Sequence, residues 1–168
     1  MEFLLFSILA VLILITSMLV ILHRNPIYSA LFLIVSFLLM AGLFLLLNAQ
    51  FLAVVQVIIY AGAIMVLFLF VLMLLDVRQL ERAIHRVRYQ RSLGLILGLL
   101  FFLEIGLLIR SATLQGEPGA FSPEKVQELG NIQILGKLLF TDYLYPFEMT
   151  SLLLLVAIIG AVLLARRE

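Results

Sequence analysis

The 168-residue sequence contains no cysteine, which excludes disulfides, iron–sulfur clusters and thiolate metal sites within the chain. Charged residues are also scarce, at 12% of the chain, whereas 65% of the residues are hydrophobic and the mean hydropathy is +1.26. Soluble domains have an apolar fraction of about 45–50%. A soluble chain of this length could not bury so much apolar surface, so the composition predicts an integral membrane protein.

Residue patterns typical of catalysis are missing as well. The sequence has no Gly-rich nucleotide loop, no nucleophile–base pair, no cluster of metal ligands and no lysine within an apolar run. His23 and His85 lie beside arginines between apolar runs, so neither resembles a haem ligand inside a membrane. A self-sufficient proton pump needs a series of buried ionisable groups. We therefore expect a dependent subunit with no active site, cofactor, soluble ligand or nucleic-acid partner of its own.

Five apolar runs are long enough to cross a bilayer, and helices satisfy the backbone hydrogen bonds of such runs. We predict an all-α membrane protein with a single domain over residues 1–168. Asn25 and Pro26 predict the start of the second span, as its N-cap and first helical residue. Asn48–Gln50 is all that joins the second and third spans, which predicts an antiparallel hairpin. The predicted spans are residues 3–22, 27–47, 51–75, 93–109 and 145–165.

The distribution of basic residues predicts the orientation of the spans. Positive charge is retained on the cytoplasmic side of a membrane. With five spans, eight arginines fall on one side, and Arg110, Lys125 and Lys137 fall on the other. The N-terminus should therefore lie outside and the C-terminus in the cytoplasm. Since Glu2 gives the first run no basic leader, we expect it to be a retained helix. The eight arginines are Arg24, Arg78, Arg82, Arg86, Arg88, Arg91, Arg166 and Arg167.

One long connection, residues 111–144, should lie on the outer face by the same argument. Within it, Ser122 and Pro123 are typical of the N-cap and first residue of a helix, and Gly130 is typical of a helix end. We therefore predict a short helix between Ser122 and Gly130.

The third predicted span, Phe51–Leu75, has more residues than a crossing requires. Its 25 residues would form a helix of roughly 37 Å, against a hydrocarbon core of about 30 Å. The excess allows a tilt or a turn wider than an α-helical one. Gln56 and Tyr60 are four residues apart and should share one face. They would either line a polar path for water or protons, or form interhelical hydrogen bonds, which are the commoner reason for such residues.

Small residues follow directly, as Ala61, Gly62 and Ala63. Small side chains commonly allow another helix to approach closely. Because Gly62 has no Cβ, it also lowers the cost of a local wide turn or kink. The pattern alone leaves both explanations open.

Two acids at the fourth and fifth spans have contrasting explanations. Glu104 is the one carboxylate well inside a predicted span, where an ionisable group costs at least about 2.5–3.5 kcal/mol. It would serve as an intramembrane acid on a proton path, or reach the membrane interface or a neighbouring subunit. Glu148 is expected in the first turn of the fifth span, where the helix dipole favours an acid.

Two stretches carry a family resemblance. Val57–Val71, with the sequence VIIYAGAIMVLFLFV, resembles the third-helix signature of subunit J of respiratory complex I, the NADH–quinone oxidoreductase. Residues Gly136–Glu148 and Ser151–Ala161 resemble the last helix of that family and the stretch before it. The early His-Arg-Asn-Pro at residues 23–26 also fits. The resemblance extends over most of residues 3–165.

The resemblance implies a core membrane-arm subunit of the bacterial inner membrane, the counterpart of a mitochondrial membrane subunit. Its partners would be lipid and the other membrane-arm subunits. It would lie beside the quinone-reaction region, while NADH, FMN, iron–sulfur clusters and the quinone would be bound by other subunits. In the family the third helix can carry a π-bulge that forms and relaxes, opening or closing a hydrated link toward the antiporter-like subunits. The matching positions here are Tyr60, Gly62 and Met65.

One position departs from some relatives, which have an acid where this sequence has Gln56. An amide binds water through hydrogen bonds but carries no titrating proton. The resemblance therefore implies gating rather than proton relay at Gln56. Two other functions remain open: a homologous small subunit of a multi-subunit cation/proton antiporter or membrane-bound hydrogenase, and a stand-alone permease.

Overall fold

The computed structural model describes residues 1–75, 89–111, 121 and 123–166. The described part is all-α, as predicted, and five of its helices are long and apolar enough to cross a membrane. Arg78, Arg82, Arg86, Arg88 and Arg167 lie outside the described residues, as does Ser122. The helices are α1 (Glu2–Leu22), α2 (Pro26–Leu46), α3 (Gln50–Leu74), α4 (Tyr89–Ser111), α5 (Pro123–Leu129), α6 (Asn131–Phe140) and α7 (Leu144–Ala165).

The start of α2 matches the sequence prediction. Asn25 is its N-cap, Pro26 is its first residue, and the Asn25 side chain accepts a hydrogen bond of 2.9 Å from the Ile27 N–H. Such a cap satisfies one of the backbone donors that the first turn of a helix leaves unpaired. The His23 ring packs against Tyr28 with a centroid distance of 5.1 Å. The connection between α1 and α2 is therefore held by local contacts that the sequence indicates.

Small polar residues allow α1 and α2 to pack closely. The hydroxyls of Ser17 and Ser36 are 3.4 Å apart across the two helices, and the Ser29 hydroxyl donates to the Val20 carbonyl oxygen. Ala30 and Ser36 of α2 are buried. Short side chains and interhelical hydrogen bonds are the usual means of helix association in a membrane.

A tight turn joins α2 to α3. Asn48 has a φ of 57°, its N–H donates to the Leu45 carbonyl oxygen, and the Ala49 N–H donates to the Phe44 carbonyl oxygen. These two bonds form a Schellman motif, in which asparagine tolerates the left-handed conformation. Because α2 also contacts the whole length of α3, the predicted antiparallel hairpin is confirmed.

The described part of the long connection contains two helices rather than one. The predicted short helix is present as Pro123–Leu129, and a second helix, α6, follows directly after Gly130. Gly130 has a φ of 85°, which favours glycine. The prediction for Glu148 was wrong: α7 begins at Leu144, so this acid lies in the second turn, where a helix terminus has little effect.

Helices α2 and α3 supply the buried residues of the described part, and α1 packs against α2, whereas α4 and α7 are covered by little of this chain. Every side chain from Leu93 to Ser111 in α4 is exposed. Within α7, Gly160 is half-buried and its neighbours along the helix are exposed. Such bare apolar surfaces need lipid or other proteins around them. The candidate site therefore lies in the packed part, on α3.

Candidate functional site in the π-helical segment of α3

Helix α3 changes its hydrogen-bonding pattern twice. It is α-helical over Gln50–Val55, π-helical over Gln56–Ile64 and α-helical again over Met65–Leu74. At the second transition the Met65 N–H donates to the Tyr60 carbonyl oxygen, five residues earlier. A π-helical turn is wider than an α-helical one and is frequent at functional sites. Nine residues of this kind in an uncharged span make the segment the candidate site.

The buried positions of α3 follow the change in pitch. They are Ala53, Gln56, Ala61 and Met65, at intervals of three, five and four residues. An α-helix returns to the same face after three or four residues, so the interval of five marks the wide turn. The prediction that Gln56 and Tyr60 share a face was therefore wrong. Gln56 is 8% exposed, whereas Tyr60 is turned outward and is 46% exposed.

The phenol ring of Tyr60 retains one contact with α2. Its edge packs against the ring of Phe37 with a centroid distance of 5.7 Å and an interplanar angle of 75°. T-shaped aromatic pairs contribute about 0.5–1.5 kcal/mol beyond their buried area. Phe37 thus favours the outward position of Tyr60 that the π-helical turn produces. Sequence reasoning missed Phe37, since aromatic residues are frequent throughout the apolar runs.

Gly62 fits the wide turn because it has no side chain. A Cβ at this position would lie 3.2 Å from the Val57 carbonyl oxygen, a backbone atom of the same helix. The same Cβ at Gly94, Gly98 or Gly106 of α4 would meet nothing within 4 Å in the described part apart from the adjacent backbone of its own helix. The absence of a Cβ at Gly62 therefore avoids a close contact in the π-helical backbone, whereas the glycines of α4 avoid no such contact within the described part.

Gln56 is a polar group in a packed position. It is more than nine-tenths buried, yet its side chain makes no hydrogen bond to any residue that the structure describes. The described residues include no buried side-chain N or O atom that lacks a partner, so the Gln56 amide reaches the surface of this chain, where a water molecule or a neighbouring protein could bind it. Met65 lies on the same face and is 4% exposed. Its unbranched thioether side chain adapts to changes in packing more readily than a branched one.

Glu104 stands apart from these residues. It is exposed on α4 and has no ion-pair or hydrogen-bond partner among the described residues. The structure thus brings Gln56 and Met65 together on α3 and does not bring Glu104 to them. Nor does any group of three or more His, Cys, Asp or Glu in the described part have an arrangement that could hold a metal ion.

One contact at the Gln50 end of α3 was missed by sequence reasoning. The Phe51 N–H donates to the Asn131 Oδ1 atom at 3.2 Å, which joins the start of α3 to the start of α6. Gly130 and Asn131 signal a helix boundary in the sequence. No local pattern indicates that the asparagine serves a helix 80 positions earlier.

Comparison with known proteins gives a consistent result over almost the whole chain. Residues 16–164 match the family described as NADH-ubiquinone/plastoquinone oxidoreductase chain 6. The NADH-quinone oxidoreductase subunit J of Rhodobacter capsulatus is 41% identical over 169 residues, covering 99% of this chain and 81% of the relative. The subunit J of Rickettsia typhi is 36% identical, covering 97% of this chain and 80% of the relative.

A plant protein is similar to the same extent. The NADH-ubiquinone oxidoreductase chain 6 of Marchantia polymorpha is 39% identical over 173 residues, covering 98% of this chain and 86% of the relative. The family match over residues 16–164 includes the end of α1, all of α2, α3 and α4 with the π-helical segment, and nearly all of α7. The chain therefore belongs to the family of NADH–quinone oxidoreductase subunit J and chain 6, the membrane subunits of respiratory complex I.

Proposed function

We propose that this chain helps to couple quinone reduction to proton translocation by changing the hydrogen-bonding pattern of α3 within a proton-translocating NADH–quinone oxidoreductase. NADH, FMN, the iron–sulfur clusters and the quinone are bound by other subunits. The chain performs no redox step and acts by controlling how α3 packs. The observation that carries the proposal is the π-helical segment Gln56–Ile64, with Gly62 against the Val57 carbonyl oxygen.

The geometry defines what a return to α-helix would do. When the wide turn becomes α-helical, one residue fewer is needed to complete it. The part of α3 after this turn then rotates by about 100° and shifts by about 1.5 Å along the helix axis. Tyr60 would then replace Ala61 on the buried face, and Ile64 would replace Met65. Because Tyr60 is much larger than Ala61, the packing beside α2 would have to change. The two states therefore differ in which side chains occupy one small volume.

Gln56 connects this rotation to hydration. Its amide lies on the face that would be repacked and has no described partner, so it is suited to holding water while the next buried residue of that face is the small Ala61. Placing the Tyr60 ring there would displace that water. An amide side chain does not take up or release a proton near neutral pH, so Gln56 would gate a hydrated path rather than relay protons.

The proposal includes the orientation and the location of the chain. The arginine distribution supports an N-terminus outside and a C-terminus in the cytoplasm of a bacterial inner membrane. The bare surfaces of α4 and α7 suit a subunit surrounded by other membrane-arm subunits and lipid. Glu104 would meet one of these neighbours or the membrane interface.

Gly62→Leu in the assembled complex tests the proposal. A Cβ at this position would lie 3.2 Å from the Val57 carbonyl oxygen, so the backbone would have to shift by a few tenths of an ångström, and we expect leucine to disfavour the π-helical state. We expect normal assembly, with reduced NADH–quinone turnover and reduced proton pumping in proteoliposomes. Ala63→Leu adds a similar volume at the next position, which already carries a Cβ, and serves as the matched control. Normal coupled activity of Gly62→Leu would contradict the gating function.

A partner analysis tests the wider assignment. Native purification followed by mass spectrometry should recover flavin- and NADH-binding subunits with this chain. Recovery with antiporter or hydrogenase subunits alone would favour the homologous small subunit of those machines. Proton or substrate transport by the purified chain alone would favour a permease.

A further inference from the structure

The Gln50 end of α3 is capped by another helix. Phe51 is the second residue of α3, and the first backbone N–H groups of a helix have no acceptor within it. The Asn131 Oδ1 atom accepts the Phe51 N–H at 3.2 Å. Asn131 thus performs for α3 the role that an N-cap side chain usually performs for its own helix.

The same end is held on its other side by the turn from α2. The Asn48 and Ala49 N–H groups donate to carbonyl oxygens of α2 at 3.0 and 2.9 Å, and the Ala53 N–H donates back to the Ala49 carbonyl oxygen at 3.0 Å. Rotating the first turn of α3 would distort this short connection. Among the described residues, no hydrogen bond from a turn or from another helix holds the Leu74 end in this way.

Helix α6 is itself tied to the rest of the chain. Ile134, Leu135 and Leu138 are half-buried and lie on one face of α6. At its other end the Phe140 ring packs against Phe147 of α7, with a centroid distance of 5.1 Å and an interplanar angle of 64°. Asn131 is therefore presented to α3 from a helix that contacts both α3 and α7, rather than from a free loop.

From these contacts we infer that Asn131 is a positioning residue that fixes the Gln50 end of α3, so that rearrangement of the π-helical segment turns the Met65–Leu74 part and leaves the Gln50–Val55 part in place. The inference rests on the proposed function, because it specifies which half of α3 moves. It also gives the motion a direction: side chains after Ala61 change face, and those before Gln56 keep theirs.

Distances between spin labels in the assembled complex test the inference. The labels are attached to engineered cysteines, and since this chain has no cysteine of its own, each label site in it is unique. Phe3→Cys with Leu52→Cys reports on the Gln50 end, and Leu22→Cys with Leu74→Cys reports on the Leu74 end; all four positions are exposed. Complex without the engineered cysteines gives the background from other subunits. Each pair is measured in resting complex and in complex frozen during NADH-driven turnover.

A rotation of about 100° moves the surface of a helix with a diameter of 10–12 Å by about 8 Å. We therefore expect the Leu22–Leu74 distance to shift by up to about 8 Å on turnover and the Phe3–Leu52 distance to stay constant. In Asn131→Leu the distribution of Phe3–Leu52 distances should become broader and should change with turnover. The ratio of protons pumped to electrons transferred should fall. Asn131→Asp keeps the acceptor oxygen and should restore both. Gln133→Leu, which removes an exposed amide from the same helix, should behave as the unchanged protein.

The outcomes separate the two proposals. If both distances shift equally in the unchanged protein, the inference that the Gln50 end is fixed is overturned, whereas the proposed rearrangement of the π-helical segment stands. If neither distance shifts, the proposed rearrangement of α3 is contradicted, and the inference about Asn131 is contradicted with it. If Asn131→Leu assembles and its Phe3–Leu52 distance stays constant while the other distance shifts, the role of Asn131 is overturned. The comparison in the unchanged protein decides whether one end is fixed even if Asn131→Leu prevents assembly.

Discussion

The Met65 N–H donates to the carbonyl oxygen of Tyr60, five residues earlier, within an uncharged membrane span. Ten residues later the Leu75 N–H donates to the Val71 carbonyl oxygen, four residues earlier, at 3.0 Å. The same helix therefore holds both hydrogen-bonding patterns. The balance between them decides which residues after Gln56 face α2, and several substitutions should shift that balance.

Gly62→Ala should favour the α-helical pattern of α3. In the π-helical form the added Cβ would lie 3.2 Å from the Val57 carbonyl oxygen, so the backbone would have to shift by a few tenths of an ångström, at a cost of about 1 kcal/mol. Since about 1.4 kcal/mol is a tenfold change in an equilibrium constant, we expect the π-helical fraction to fall several-fold. Sorting of cryo-electron microscopy images of the assembled complex measures this fraction.

Gly106→Ala is the matched control for that substitution. It brings the same gain in helix propensity, but the new Cβ meets nothing within 4 Å in the described part of the chain. We expect the π-helical fraction to be unchanged. An equal fall in both variants would contradict a specific effect of the contact with Val57.

Phe37→Leu should weaken the outward position of Tyr60. It removes the T-shaped ring pair, which is worth about 0.5–1.5 kcal/mol, and keeps most of the apolar volume. We expect the π-helical fraction to fall by roughly 2- to 10-fold, with a parallel loss of coupled proton pumping. Tyr60→Phe keeps the ring pair and should leave both quantities unchanged. Phe44→Leu, at a half-buried phenylalanine of α2 with no described ring partner, controls for lost volume.

The sequence predicts the helices well because their signals are local. A continuous apolar run marks each span, and Asn25 with Pro26 marks a helix start that the structure reproduces. The excess length of the third span and the presence of Gly62 also indicate that a wide turn is possible there. These features depend on residues within a few positions of each other, so one sequence is sufficient to find them.

The face on which each residue of α3 lies, and the contacts of α3 with distant parts of the chain, could not be predicted in the same way. Assigning Gln56 and Tyr60 to one face assumes 3.6 residues per turn, and one π-helical turn invalidates that assumption. The bond between Asn131 and Phe51 depends on how α6 is placed against α3, which no local pattern determines. Glu148 was misplaced for a smaller reason, because the helix begins one residue before the predicted start.

Asn48→Val should destabilise the turn between α2 and α3. Asn48 has a φ of 57°, and the left-handed conformation costs an ordinary L residue roughly 1–2 kcal/mol, with a β-branched residue the least tolerant. We expect a lower thermal stability of the assembled complex or a lower yield of it, measured by native gel electrophoresis after heating. Asn48→Gly should be at least as stable as the unchanged chain. Ala49→Val, at a neighbouring residue with a φ of −91°, should have little effect and separates backbone strain from added bulk.

Glu104→Gln tests whether the one acid well inside an apolar span carries protons. Glu104 is exposed on α4, has no described partner and lies on a helix that makes few contacts with α3, so we expect assembly and proton pumping to be unchanged. Glutamine keeps the size and the hydrogen-bonding capacity of the side chain and removes the titrating proton. The measurement is the ratio of protons pumped to NADH oxidised in proteoliposomes. If that ratio falls while the complex assembles normally, Glu104 lies on a proton path and the gating function assigned to α3 would have to include a relay through α4.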